Sequence, residues 1–124
     1  MKLKLWLINT LILFTMGSMT SVKASAEQVF AYCKASVGPS DTFYFSRVYQ
    51  FDSKAAEGGV APRLQLDSYA FDNFLSANHE MKGTPSGFCV SAKSRAAATE
   101  ELNHDAAWYK EARIKFVFTN WVSE

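Results

Sequence analysis

The chain opens with the pattern of an export signal. Lys2 and Lys4 precede an apolar run from Leu5 to Met16, and small residues follow, ending Val22-Lys23-Ala24-Ser25-Ala26. A charged start, an apolar stretch and a small-residue exit are the marks of a secretory signal peptide. No other feature constrains the fold so strongly. It reserves residues 27–124 for structure and places them in an oxidising compartment, periplasmic or secreted. Ala24 and Ala26 favour cleavage after Ala26, and cleavage after Ala24 is the alternative. The apolar run is about a dozen residues, short of the roughly twenty that span a bilayer as a helix. The expectation is a chain without a permanent membrane anchor. A lipid anchor is disfavoured too, because bulky Tyr32 precedes Cys33.

Export changes the charge balance. The full chain carries +1. Without residues 1–26 it loses three lysines and no acid, leaving ten bases against twelve acids and a net charge of −2. Phosphate backbones are bound by clustered Lys and Arg, and no such cluster exists, so nucleic acid is an unsuitable partner.

Residues 27–124 make a single small α+β domain. Chains this short are marginal on their core alone. Sixteen aromatic residues in this part supply apolar mass, and Cys33 and Cys89 allow one intramolecular pairing. In an oxidising compartment the default is a disulfide. A metal site needs three or four ligands at suitable spacing, and neither cysteine has them. No metal and no cofactor is expected.

Val29–Ala35 alternates as a strand. Thr42–Phe51 reads as a second, with Phe43, Phe45 and Tyr49 on one face. Asp52–Leu66, holding Gly58-Gly59 and Pro62, reads as a long loop. Asp67 caps a helix to about Met81, with Phe71, Phe74 and Leu75 as its stripe. Gly87–Val90 is a short strand. Ser91 or Ser94 caps a second helix to Glu111, buried along Ala98, Leu102, Ala106 and Tyr109. Arg113–Val122 is apolar on both faces and reads as an interior strand. The order β-β-α-β-α-β predicts a two-layer sandwich: a mixed four-stranded sheet with both helices on one face.

Catalytic chemistry is sparse. His79 and His104 sit late in one helix and midway along the other, among polar neighbours. No nucleophile motif or phosphate-binding loop is present. Glu100 and Glu101 are adjacent on a helix and diverge. Arg47 shares the alternation of the strand aromatics, so it must be paired, by Asp41 or Asp52 for example, or the strand must bend. Otherwise it marks a polar pocket. Tyr32, Tyr44, Trp108 and Trp121 exceed what so small a core can hold. With Arg47 and Arg63 they form the candidate binding surface, because such residues favour interfaces; the alternative for the aromatics is a second small cluster packed against the uncovered face of the sheet.

Tyr32-Cys33-Lys34-Ala35, Tyr44-Phe45-Ser46, Phe88-Cys89-Val90, the alanine-bearing helix and Val117-Phe118-Thr119-Asn120-Trp121 occur in an order that resembles small exported bacterial α+β modules of uncharacterised function with one disulfide. The resemblance implies fold and compartment and brings no catalytic residue with it. The expected function is a non-enzymatic interaction module: an inhibitor, an immunity-type protein or an envelope accessory. Its expected partner is another envelope or secreted protein. The alternative is a small envelope hydrolase using carboxylates or His79.

Overall fold

The computed structural model describes residues 27–38, 42–78 and 83–124. The export segment and His79 lie outside the described residues. Among the described residues there are five strands and two α-helices, an α+β class with a mixed sheet.

Strand β1, Gln28–Gly38, is the sheet's centre. Ala31, Cys33, Ala35 and Val37 are buried on one of its faces, and Tyr32 on the other. Strand β4, Thr84–Ala92, pairs antiparallel with nine residues of β1. Along the opposite edge lie β2, Phe43–Phe45, and β3, Tyr49–Asp52, both antiparallel to β1. Strand β5, Phe116–Phe118, runs parallel to β2 at the far edge. All strands except β1 therefore point the same way.

The single strand expected over Thr42–Phe51 is broken. Lys34 faces Phe45 and Ala31 faces Tyr49, so Ser46, Arg47 and Val48 stand opposite only Tyr32 and Cys33. This is a β-bulge, with one extra residue on one strand. It shifts the alternation by one. Phe45 before the bulge faces one side of the sheet with Tyr32, whereas Tyr49 and Phe51 after it face the other with Ala31 and Cys33. Arg47, at the bulge, is exposed.

Helix α1, Val60–Asn78, begins two turns before the expected start. The turn Ser53–Ala55 and glycines Gly58 and Gly59 lead into it, both glycines at positive φ. Pro62 sits in the first turn, where its missing N–H costs nothing. Helix α2, Arg95–Glu111, is capped by Ser94, whose Oγ accepts from Ala97 N at 3.0 Å. Its buried stripe is Ala98, Leu102, Ala106 and Tyr109, as expected. A Schellman turn ends it: Ile114 N–H bonds Tyr109 O at 2.8 Å and Arg113 N–H bonds Lys110 O at 3.1 Å.

The helices cover opposite faces of the sheet, which corrects the two-layer expectation. Phe71 and Leu75 of α1 pack on Ala31, Cys33, Tyr49 and Phe51. Leu102 and Tyr109 of α2 pack with Tyr32 and Phe45. The topology explains this. The crossover from β3 to β4 passes over β1 in one direction, and the crossover from β4 to β5 returns. Two crossovers of the same hand running in opposite directions place their helices on opposite faces.

Cys33 and Cys89 face each other across β1 and β4 and form a disulfide. Gly87 allows α1 to sit close. A Cβ there would lie 3.0 Å from Asp72 Oδ1 of α1, and 2.8 Å from both Ala35 Cβ and Lys34 O of β1.

Candidate functional site

Three buried or half-buried carboxylates organise the polar interior. Asp67 on α1 accepts from Tyr49 Oη at 2.6 Å, from Arg63 Nε at 3.0 Å and from Ser123 Oγ at 2.6 Å. Arg63 also donates to Ser123 Oγ and the Glu124 carbonyl and lies over the Phe51 ring. Burial raises the Tyr49 hydroxyl well above its ordinary value, and the bond to Asp67 adds to the shift. This network fastens the chain end to α1.

On the other face, Asp105 of α2 accepts from Tyr32 Oη at 2.7 Å and Lys34 Nζ at 3.0 Å. Burial alone would raise the Asp105 carboxyl, but the bonds from Tyr32 and Lys34 outweigh it and hold the carboxyl below its ordinary value. Burial raises the Tyr32 hydroxyl, as does Asp105.

Asp72 is different. Burial raises its carboxyl, a Gly87 N–H bond offsets part of the shift, and its Oδ1 has no hydrogen-bond partner. Its Oδ1 is thus a buried acceptor left unpaired beside Gly87, one helical turn from Ser68.

The histidines of the hydrolase alternative are placed as follows. His104 is exposed beside Ala97, Glu100 and Glu101 in a shallow depression with no hydroxyl. A general base needs a positioned partner within hydrogen-bond reach. His79 lies outside the described residues. Among the described residues no group of three metal-ligating side chains converges.

The six expected surface residues do not form one surface. Tyr32 is buried with Asp105, Arg63 is engaged by Asp67, and Tyr44 and Trp121 are half-buried against the α1-side core. Arg47 and Trp108 are exposed. Arg47 N–H donates to Trp121 O at 3.0 Å, which places Arg47 beside the chain's last segment. No carboxylate pairs with Arg47 among the described residues.

That segment holds what sequence reasoning missed. Expected as an interior strand, Arg113–Val122 is an edge, with only Phe116–Phe118 paired and only to β2. Phe118 is 55 % exposed, and Val117 and Val122 are exposed with it. Arg113 and Lys115 are exposed on the same stretch. Thr119 anchors it: its N–H and its Oγ1 both donate to Phe45 O at 2.8 Å. Apolarity on both faces suits an interior strand, but it equally suits an edge that reserves apolar surface for a partner.

A second apolar surface lies on the far side of the sheet. A groove of about 470 Å³ runs between α1 and β4, lined by Leu64, Ser68, Tyr69, Gly87, Phe88 and Cys89 among others.

The disulfide fits an oxidising compartment, and among the described residues no helix is long and apolar enough to cross a membrane. No protein-family model, curated protein or solved structure matches this chain.

Proposed function

We propose that the protein is an exported, non-enzymatic interaction module, periplasmic or secreted, that docks an acidic protein partner along its β5 edge. The observation that carries this reading is the stretch Arg113–Val122, where exposed Arg113 and Lys115 precede exposed Val117, Phe118 and Val122, and where Trp121 O takes the backbone N–H of exposed Arg47. Aromatic and arginine side chains dominate interface energetics. The basic flank selects an acidic surface and speeds encounter with it. Three carboxylates held in internal networks or under α1 leave the interior to structure, which further supports binding over catalysis. An inhibitor, an immunity-type protein and an envelope accessory subunit all need this kind of surface.

The test is charge reversal. Lys115→Glu combined with Arg47→Glu alters two exposed side chains. Recovery of the acidic partner from the envelope or secreted fraction should fall by about tenfold or more, with the melting temperature unchanged. Undiminished recovery would overturn the reading.

A further inference from the structure

We propose that the chain forms a two-fold homodimer by antiparallel pairing of β4 with β4 of a second copy, with α1 of each copy packed beside the other.

The first support is the state of the β4 edge. Cys33 gives its carbonyl to Ser46 N–H and its N–H to Ser46 Oγ. Its main-chain groups thus point toward β2 and β3, away from β4. Cys33 and Cys89 are therefore a non-hydrogen-bonded pair, and the groups of Cys89 point outward as well. Alternation places the N–H and C=O of Ser91 and the C=O of Gly87 on the same open side. No strand covers this edge among the described residues. Asp72 meets the Gly87 N–H, but Cys89 and Ser91 each present a donor and an acceptor. They are two residues apart. A two-fold axis at Val90 lets each donate to the other's carbonyl in the second copy, giving four main-chain bonds.

Charge is the second support. Natural edges are usually protected by lysine or another charge. The nine residues of β4 carry no charge, and the only protecting residue is Pro85 near its start, away from Cys89 and Ser91. The outer face of α1 carries no charge either: its only charges, Arg63, Asp67 and Asp72, are buried or half-buried. Exposed instead are Leu66 at 64 %, Tyr69 at 54 % and, on β4, Phe88 at 55 %. A surface that meets its own copy across a two-fold axis brings like residues together, so it must avoid charge. This one does.

Placement of α1 is the third. The helix packs chiefly on β4, above the edge rather than the sheet centre. Val60 lies near Ser91, and Leu64 and Ser68 near Cys89 and Gly87. Edge pairing at ordinary strand spacing then brings the two α1 helices side by side, antiparallel, with Ala61, Gln65 and Tyr69 between them. The groove becomes interior. Both β5 edges remain outside, so this proposal is independent of the partner reading.

Sedimentation equilibrium of the oxidised protein over a concentration series tests it, alongside two variants. Ser91→Pro removes an N–H that β1 does not use, and Tyr69→Lys sets like charges across the axis. Wild type should be dimeric. Each variant should weaken the dimer by tenfold or more with an unchanged circular dichroism spectrum. A wild-type protein that is monomeric throughout the series would overturn the proposal, and so would a dimer indifferent to both variants.

Discussion

Ser46 Oγ accepts the N–H of Cys33 at 2.7 Å while Ser46 N–H donates to Cys33 O at 2.8 Å. A side-chain hydroxyl thus takes a ladder position that the bulge denies to a carbonyl. The same hydroxyl donates to Arg47 O at 2.9 Å. Both residues are fully buried, so no water replaces these bonds. One serine holds the bulge closed, and the bulge decides which aromatics face which helix.

Ser46→Ala should therefore be costly. It leaves the Cys33 N–H buried without an acceptor, a loss of about 1–3 kcal/mol. Urea unfolding followed by tryptophan fluorescence measures it. A change within 0.5 kcal/mol, the usual range of an inert surface substitution (about that size), would show that the bulge does not depend on this hydroxyl.

Two carboxylates should give opposite pH signatures. Asp105 has a lowered folded pKa, so its contribution is present above the unfolded value and lost as pH falls through the folded value. Asp105→Asn should cost about 1 kcal/mol at neutral pH, with the gap to wild type closing in acid. Asp72 has a raised folded pKa. Its penalty is present at pH above the folded value and disappears as pH falls below the unfolded one. Asp72→Asn should stabilise by about 1 kcal/mol at neutral pH, and that gain too should vanish in acid. Thermal unfolding across the acid range separates the two. Gaps of constant size, or of the reversed sign, would contradict these assignments.

Arg113 closes α2 at φ 63°, in the left-handed region where a Cβ is penalised. Its Schellman partner Ile114 packs into the α2-side core. Arg113→Gly should raise stability by about 1 kcal/mol, read as a higher midpoint in denaturant. A lower midpoint would mean that the arginine side chain contributes more than its backbone costs.

The disulfide closes a loop with a sequence separation of 56 residues. Replacing both cysteines by alanine should cost about 4 kcal/mol on the chain-entropy account. Alkylation of the unreduced protein should label neither cysteine. Two labelled thiols by mass spectrometry would contradict the bond.

These sites also show what could be read in the residues alone. Helix α2 was legible because Ala98, Leu102, Ala106 and Tyr109 keep the helical period and Ser94 supplies a cap. The cysteine pair was legible from the compartment. The bulge was not, because Phe43, Phe45 and Tyr49 fit one alternation, and only pairing with β1 reveals the extra residue. The start of α1 was hidden by Gly58-Gly59 and Pro62, which read as loop chemistry although Pro62 is harmless in a first turn. Asp67 resembled a cap and is an interior ligand of Tyr49 and Arg63. Placement of the helices on opposite faces followed from strand order, which local pattern does not encode. For the candidate site, Arg47 and Trp108 are exposed, but Phe118 and its neighbours emerged only once β5 proved to be an edge.

The proposed docking surface is the β5 edge. Photocrosslinking in the expressing cell tests it most directly, with a photoreactive residue at Val117 in one variant and at His104 in another. Docking along β5 gives a discrete adduct with an acidic envelope or secreted protein from position 117, absent from position 104 and suppressed by Lys115→Glu. Equal labelling from both positions, or an adduct from 117 indifferent to Lys115→Glu, would contradict it.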